Sequence, residues 1–223
     1  MERRPPVIAI DGPSASGKGT VAQRVAQMLG FHFLDSGALY RCVALAATHA
    51  AVELSDEVAL ARLTKIMDMR FESENIYLNQ ELVTEALRAE QIGKDASQVA
   101  ALPAVRLALL ERQRAFRQQP GLVADGRDMG STVFPDAVLK IYLTADVQER
   151  ARRRYKQLKG KGMNANITAL LQDIKVRDQR DSARAVAPLQ RGANAVAIDT
   201  TRLTVDVAVE QVLARYKAVN QES

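Results

Sequence analysis

Gly12-Pro13-Ser14-Ala15-Ser16-Gly17-Lys18-Gly19-Thr20 follows the apolar run Val7-Ile8-Ala9-Ile10 and leads into a helical pattern. Strand, glycine loop, lysine and helix form the arrangement that wraps a polyphosphate. Backbone N–H groups of the loop and of the helix start point at the anion, and the lysine adds a mobile positive charge. Gly12 and Gly17 let the chain turn and approach oxygen atoms without a Cβ in the way. The spacing G-x-x-x-x-G-K is complete, but Gly19 stands where a Ser or Thr usually follows the lysine. Thr20 comes one residue late, so the phosphate cradle is better specified than a hydroxyl contact to Mg²⁺. The competing reading is a glycine-rich turn with no ligand; a strand before, a helix after and a lysine in register favour the cradle.

The chain has 223 residues, 47% of them hydrophobic, which suits one α/β domain with a small insertion. No apolar run is long enough to span a bilayer, and Met1-Glu2-Arg3-Arg4-Pro5-Pro6 has no signal-peptide character. The single cysteine, Cys42, excludes an intramolecular disulfide and a cysteine metal cluster, and its apolar surroundings predict a core filler. His32 and His49 have no second metal ligand nearby in sequence. A cytoplasmic protein is expected. A net charge of +5 also suits a nucleic-acid binder, but aromatics are 4% and tryptophan is absent, so base-stacking platforms are scarce.

Periodicity predicts a helix over 18–29, a short strand Phe31-His32-Phe33-Leu34, a cap at Asp35-Ser36, and helices over 37–50 and 56–67. From Asp68 to Leu82 the period changes to two around Ser73-Glu74-Asn75, a hairpin to which Leu82-Val83 adds a third strand. Hairpins are antiparallel, so about 68–96 reads as an insertion, with core at about 1–67 and 97–223. Further helices are predicted over 103–117, from Asp146, over 167–184 and from Thr204, with strands at 121–124, 138–143 and 195–198. The ends, Met1 to Pro5 and Gln221 to Ser223, are expected to be loose. Strands alternating with helices predict a parallel five-stranded sheet flanked by helices, with a small antiparallel insertion and a basic helical lid at about 150–165.

Asp125-Gly126-Arg127-Asp128 ends a buried strand, at the sheet edge that carries the glycine loop. Two carboxylates around an arginine there serve a Mg²⁺-phosphate and a polar substrate group together; the alternative is a turn with solvated charges. Positions 170, 174, 177, 181 and 184 share a helix face, so the apolar stripe of Leu170 and Ile174 continues as Arg177, Asp181 and Arg184. Charge facing inward needs a partner, which predicts an anionic or hydrogen-bonding ligand; a solvated helix with internal ion pairs is the alternative. Arg150, Arg152, Arg153, Arg154, Lys156, Lys159 and Lys161 give a basic helix, either a solvated face or a lid that closes its arginines over phosphates. Arg41 follows the second strand and is a candidate ligand for a second phosphate.

These residues together resemble the bacterial-type cytidylate kinases, in the nucleoside monophosphate kinase group. The resemblance rests on Gly12 to Thr20, Leu34-Asp35-Ser36-Gly37-Ala38-Leu39-Tyr40-Arg41, Ala96-Ser97-Gln98-Val99-Ala100, Ala124-Asp125-Gly126-Arg127-Asp128-Met129-Gly130 and Arg177-Asp178-Gln179-Arg180-Asp181. It covers nearly the whole chain, and the Lys-Gly-Thr ending is usual in that group.

The resemblance implies transfer of the γ-phosphoryl group of ATP to CMP or dCMP, with Mg²⁺. Gly12, Pro13, Ser14, Ala15, Ser16, Gly17, Lys18, Gly19 and Thr20 would bind ATP. Ser97, Arg106, Asp128 and Arg184 would hold the cytosine. Arg177 and Asp181 would meet the sugar, and Arg41 and Arg127 the acceptor phosphate, with Ser36 and Asp125 also on the acceptor side. Lys18, Arg127 and the lid residue Arg153 are the expected catalytic side chains; Thr20 and Asp35 would hold the metal, directly or through water. Uracil reverses donor and acceptor at two positions of the cytosine edge, leaving groups unpaired at about 1–3 kcal/mol each. The expected partners are small nucleotides, with no nucleic acid and no membrane, and the expected state is a monomer. Two rivals stay open: a kinase for another small acceptor such as UMP or shikimate, and a nucleic-acid binder using the loop as a switch.

Overall fold

The computed structural model describes residues 4–72, 75–184 and 186–221. Ser73 and Glu74, in the hairpin turn read from the sequence, lie outside them, as do 1–3 and 222–223. The chain divides into two compact units, Met1–Leu34 with Phe116–Ser223, and Asp35–Ala115.

The first unit holds a five-stranded sheet in the order β2-β6-β1-β7-β8, formed by β1 (Val7–Asp11), β2 (His32–Asp35), β6 (Leu122–Gly126), β7 (Leu139–Thr144) and β8 (Val196–Asp199). The β1–β6, β1–β7 and β7–β8 pairs are parallel. Every residue of β1 and β6 is buried, which is why these strands read as unbroken apolar runs ending in Asp. Toward the edges, β7 alternates between buried and half-buried positions, and β8 buries only Ile198.

On one face α1 (Lys18–Leu29) and α8 (Val205–Gln221) cover the sheet, with Val21, Val25, Val209 and Val212 against Ile8, Ile10, Ile141 and Leu143. Phe31 meets Tyr216 edge-on, ring centroids 5.7 Å apart. The basic helix α6 (Val147–Gly160) and the charge-balanced α7 (Ile167–Ser182) also belong to the unit. Pro5 and Gln221, expected to be loose, are ordered: the Pro5 carbonyl accepts from Arg117 Nε at 2.7 Å, and Gln221 is the last residue of α8.

The second unit packs α2 (Ser36–His49), α3 (Glu57–Ile66), α4 (Glu90–Val99) and α5 (Pro103–Ala115) with an antiparallel sheet of β3 (Met69–Glu72), β4 (Asn75–Leu78) and β5 (Glu81–Leu82). Asp35 and Asp56 start α2 and α3 by accepting from Ala38 N (3.1 Å) and Ala59 N (2.9 Å). The hairpin matches the period-two reading, and its sheet is separate from the parallel one. The unit is wider than the stretch 68–96, because α2 packs on α3 and α4, and α3 on α5.

The helix α4 is not anticipated by the sequence reading. No side chain caps it, and its apolar residues Ile92, Ala96 and Val99 stand among Gln91, Lys94, Asp95 and Gln98. Cys42 is fully buried, and burial followed by the Asp35 charge pushes its thiol up to about 12, so it fills core and carries no thiolate near neutral pH.

Gly12 joins the two central features of the first unit. A Cβ on it would lie 2.0 Å from the Leu143 carbonyl oxygen at the end of β7. Strand backbone cannot yield as a side-chain tip can. Gly12→Ala is expected to destabilise the protein by about 3 kcal/mol, the upper end for an inserted methyl group. Urea unfolding checks this, and an unchanged midpoint would contradict the close approach.

Candidate functional site

The loop after β1 makes its turns with Ala15 at φ 57° and Gly17 at φ 91°. Gly17 is the N-cap of α1; no side chain caps the helix, and its first turn has no acidic residue. Its leading N–H groups are thus suited to an anion. The Ser14 and Ser16 hydroxyl oxygens are buried and have no hydrogen-bond partner among the described residues. Buried hydroxyls of this kind fit a polar ligand. Lys18, buried at the first position of α1, places Nζ 3.5 Å from Pro13 O and 3.7 Å from Asp125 Oδ1. These groups together fit a polyphosphate.

Gly19 now has a physical reason. A Cβ there would sit 3.1 Å from Asp125 Oδ2, and Asp125 is buried beside Lys18 at the end of β6. A Ser or Thr at 19 would press on that carboxylate. Thr20 is exposed on α1.

The loop's carbonyl groups are held from behind. Arg150 donates to Ser14 O (3.1 Å) and Ala145 O (3.0 Å), and grips Asp178 of α7 through two nitrogens at 3.1 and 2.5 Å. Arg153 Nη1 donates to Ser16 O at 3.1 Å and to Thr200 Oγ1 at 3.0 Å, while its Nη2 reaches Thr200 O at 2.5 Å. Thr200 Oγ1 also donates to Ser16 O at 2.9 Å. Arg153, read from the sequence as a lid arginine, is thus engaged with the loop backbone.

Beyond β6, Asp181 is almost fully buried between Arg127, whose Nε donates to it at 3.0 Å, and Arg184. Leu170 and Ile174 are buried on the same helical face, so the stripe seen in the sequence does turn inward. Burial alone would raise the Asp181 carboxyl, but Arg127, Arg184 and Arg177 outweigh it and hold the group below its ordinary value. Burial likewise disfavours the Arg127 cation, and the Asp181 and Asp125 carboxylates reverse that. Asp128 is buried, and its carbonyl accepts from Thr132 N (2.9 Å) and Val133 N (3.2 Å) at the start of a π-helical turn, Met129–Val133.

Asp35, Ser36, Arg41, Ser97 and Arg106 belong to the second unit. Asp35 is the α2 cap, Ser36 is buried at the first position of that helix, and Arg41 is half-buried further along it. Ser97 is buried on α4, its hydroxyl without a hydrogen-bond partner among the described residues. Arg106, buried on α5, donates to Tyr40 OH (3.3 Å) and Ala100 O (3.2 Å). Among the described residues no group of His, Cys, Asp and Glu forms a metal cluster. Nor is any described helix long and apolar enough to cross a membrane.

Four residues escaped the sequence reading. In the sequence Arg150 is one basic residue among many, and nothing beside Tyr40 gives it a role. Thr200 follows the last strand with nothing to mark it. Asp11 was visible as a charge closing the run Val7-Ile8-Ala9-Ile10. Its Oδ1 accepts from Met129 N at 2.8 Å and its Oδ2 from Gly130 N at 2.9 Å. Burial, aided by Asp128 and Asp125 and opposed by those two amides, lifts its carboxyl from 3.8 to about 7.

The family model for cytidylate kinase matches residues 8–218. A cytidylate kinase of Azotobacter vinelandii is 54% identical over 224 residues, covering 98% of each chain. One of Chromobacterium violaceum is 57% identical over 208 residues, covering 93% of this chain and 94% of its own. Among solved structures, an uncharacterized protein from Eubacterium ventriosum shares the fold, with a TM-score of 0.50 at 13% identity over 94% of this chain and 97% of its own.

Asp181 and Asp11 give stability opposite dependences on pH. The depressed Asp181 carboxyl stabilises the fold at all pH values above the ordinary carboxylate range, and that contribution is lost only as pH falls below it. The raised Asp11 carboxyl contributes fully below its unfolded value near 3.8 and loses the contribution as pH rises through about 7. Unfolding free energies from urea titrations at pH 5 and pH 8 are expected to fall with pH in the wild type and less steeply in Asp11→Asn. Equal slopes in the two proteins would contradict this assignment.

Proposed function

The chain belongs to the cytidylate kinase family, and on that premise we propose that it transfers the γ-phosphoryl group of ATP to CMP and dCMP, giving ADP and the nucleoside diphosphate. The observation that carries the reading is the composition of the first unit. The phosphate loop at Gly12 to Thr20 and the inward-facing Asp128, Arg177, Asp181 and Arg184 belong to that one unit. The loop suits a nucleoside triphosphate, and the buried arginine–aspartate face suits a second polar ligand.

The nucleophile is a phosphate oxygen already ionised at neutral pH, so no general base is required. Catalysis is placement and charge neutralisation. Lys18 and the amides at the start of α1 take the donor phosphates. Arg127, kept cationic by Asp181 and Asp125, is proposed for the acceptor phosphate, with Arg41 and Ser36 in the same role from the second unit. Asp128, Arg184, Ser97 and Arg106 are proposed for the base, and Arg177 and Asp181 for the sugar. Thr20 and Asp35 would hold Mg²⁺, which when bound neutralises charge on the donor phosphates. In this reading the stretch 68–96 serves the monophosphate side, and 150–165, with Arg153, serves the lid. The same reading has the enzyme work as a monomer in the cytoplasm on small nucleotides alone.

An acceptor panel at one fixed ATP concentration, followed by ADP release, tests the activity. CMP and dCMP are expected to turn over faster than UMP; the reverse order would overturn the cytosine reading. Lys18→Met is expected to lower turnover at least about a hundredfold, as loss of a key charge-stabilising group does, while its circular dichroism stays that of the wild type.

A further inference from the structure

Asp11 ends β1, the central strand of the five-stranded sheet, and directly precedes Gly12, the first residue of the phosphate loop. Its carboxylate crosses to the neighbouring chain segment beyond β6 and takes two consecutive amides, Met129 N–H on one oxygen and Gly130 N–H on the other. Those amides open the π-helical turn Met129–Val133, where the first N–H groups have no partner within the turn itself. The residue just before them is Asp128, buried, with its backbone at φ −145° and ψ 23°. The carboxylate therefore fixes the amide that joins Asp128 to Met129 and the amide that follows it, and through the first of these the orientation of the Asp128 backbone.

The arrangement is costly. The charged groups that face Asp11 are Asp125 and Asp128 from β6 and the turn after it, both of its own sign, and its field reaches Arg127 and Tyr142. Burial of a carboxylate among carboxylates makes it hard to ionise. A neutral residue would cap the turn at less cost, but none would do so at both amides. Asn offers one acceptor and turns an N–H₂ toward the other N–H; Ser offers a single oxygen. Only a carboxylate presents two acceptors side by side. Gly130 itself sits close against its neighbours: a Cβ there would lie 3.1 Å from Lys140 Cγ.

We propose that Asp11 is a positioning residue for acceptor recognition: by gripping the amides of Met129 and Gly130 it sets where the Asp128 carboxylate stands relative to the start of the phosphate loop. The inference rests on the reading of Asp128 as a base-holding residue. It makes one side chain the mechanical tie between the donor loop and the group that reads the acceptor, and it assigns Asp11 no contact with either nucleotide.

The test uses the full chain with Asp11→Asn, and Asp11→Ser as a smaller uncharged replacement. Steady-state kinetics are measured with CMP and UMP at saturating ATP, and with ATP at saturating CMP, beside a thermal melt. In a folded variant KM for CMP is expected to rise about tenfold, the worth of one well-placed hydrogen bond. The kcat/KM ratio of CMP to UMP falls with it, while KM for ATP stays within about twofold, the split expected when only acceptor binding is lost. Asp11→Ser is expected to show the same pattern. An unchanged KM for CMP in a folded variant, or KM values for ATP and CMP that rise together, would overturn the proposal. So would failure of both variants to fold, since Asp11 would then serve the fold alone. A wild type that ignores CMP brings down the parent reading as well, whereas an active wild type with indifferent variants brings down this inference only.

Discussion

A loop that turns its amide groups toward one anion must turn its carbonyl groups away, and each of those carbonyls needs a donor from somewhere else. Gly12 to Thr20 meets this constraint with groups from across the first unit. Pro13 O is approached by Lys18, Ser14 O by Arg150, and Ser16 O by both Arg153 and Thr200, while Gly17 O accepts from Val21 N inside α1. Arg150 and Arg153 of the basic helix α6 answer to this need. Arg150 is buried because it spans from the loop to Asp178 of α7, so the loop, α6 and α7 are joined by one guanidinium. The same helix α7 then presents Arg177 and Asp181, with Arg184 just beyond its end.

Burial of this much charge is tolerated because almost every charge has an opposite close by. Asp181 stands between Arg127 and Arg184, and Asp125 beside Lys18. Such groups add little net stability compared with apolar residues of the same size, but removal of one member leaves its partners stranded at a cost of about 3–5 kcal/mol. They are understood better as an arrangement that holds charges in fixed places than as a source of stability. Asp11 differs, since its partners are two backbone amides and the charges of Asp128 and Asp125 oppose its ionisation. Conformational precision at the end of the central strand is what that burial secures.

Legibility followed the range of the interactions. The strand, the loop and α1 were readable because each is specified by neighbours in sequence: an apolar run, glycines at the turns, helical spacing up to Gly30. The hairpin was readable from its period of two. The α7 stripe was readable as an inward face, since the spacing of Leu170, Ile174, Arg177, Asp181 and Arg184 is local. The helix α4 was not, for it has no capping side chain and only three apolar residues, and its stability comes from packing on α2. The basic helix was half readable: its charge was plain, but nothing local separates Arg150, buried against the loop, from Arg152, which is exposed.

By itself the sequence determined the parallel α/β sheet, the phosphate loop and the set of polar residues available for an acceptor, because periodicity, glycine placement and motif spacing are properties of neighbouring residues. Tertiary structure decided what each charge does. It gave Arg153 and Arg150 to the loop's carbonyls, set Asp181 between two arginines, explained Gly19 by the carboxylate of Asp125, and joined Asp11 to amides 118 and 119 residues away. A hydrogen bond is decided by distance and direction in space, and those exist only once the strands have been brought side by side.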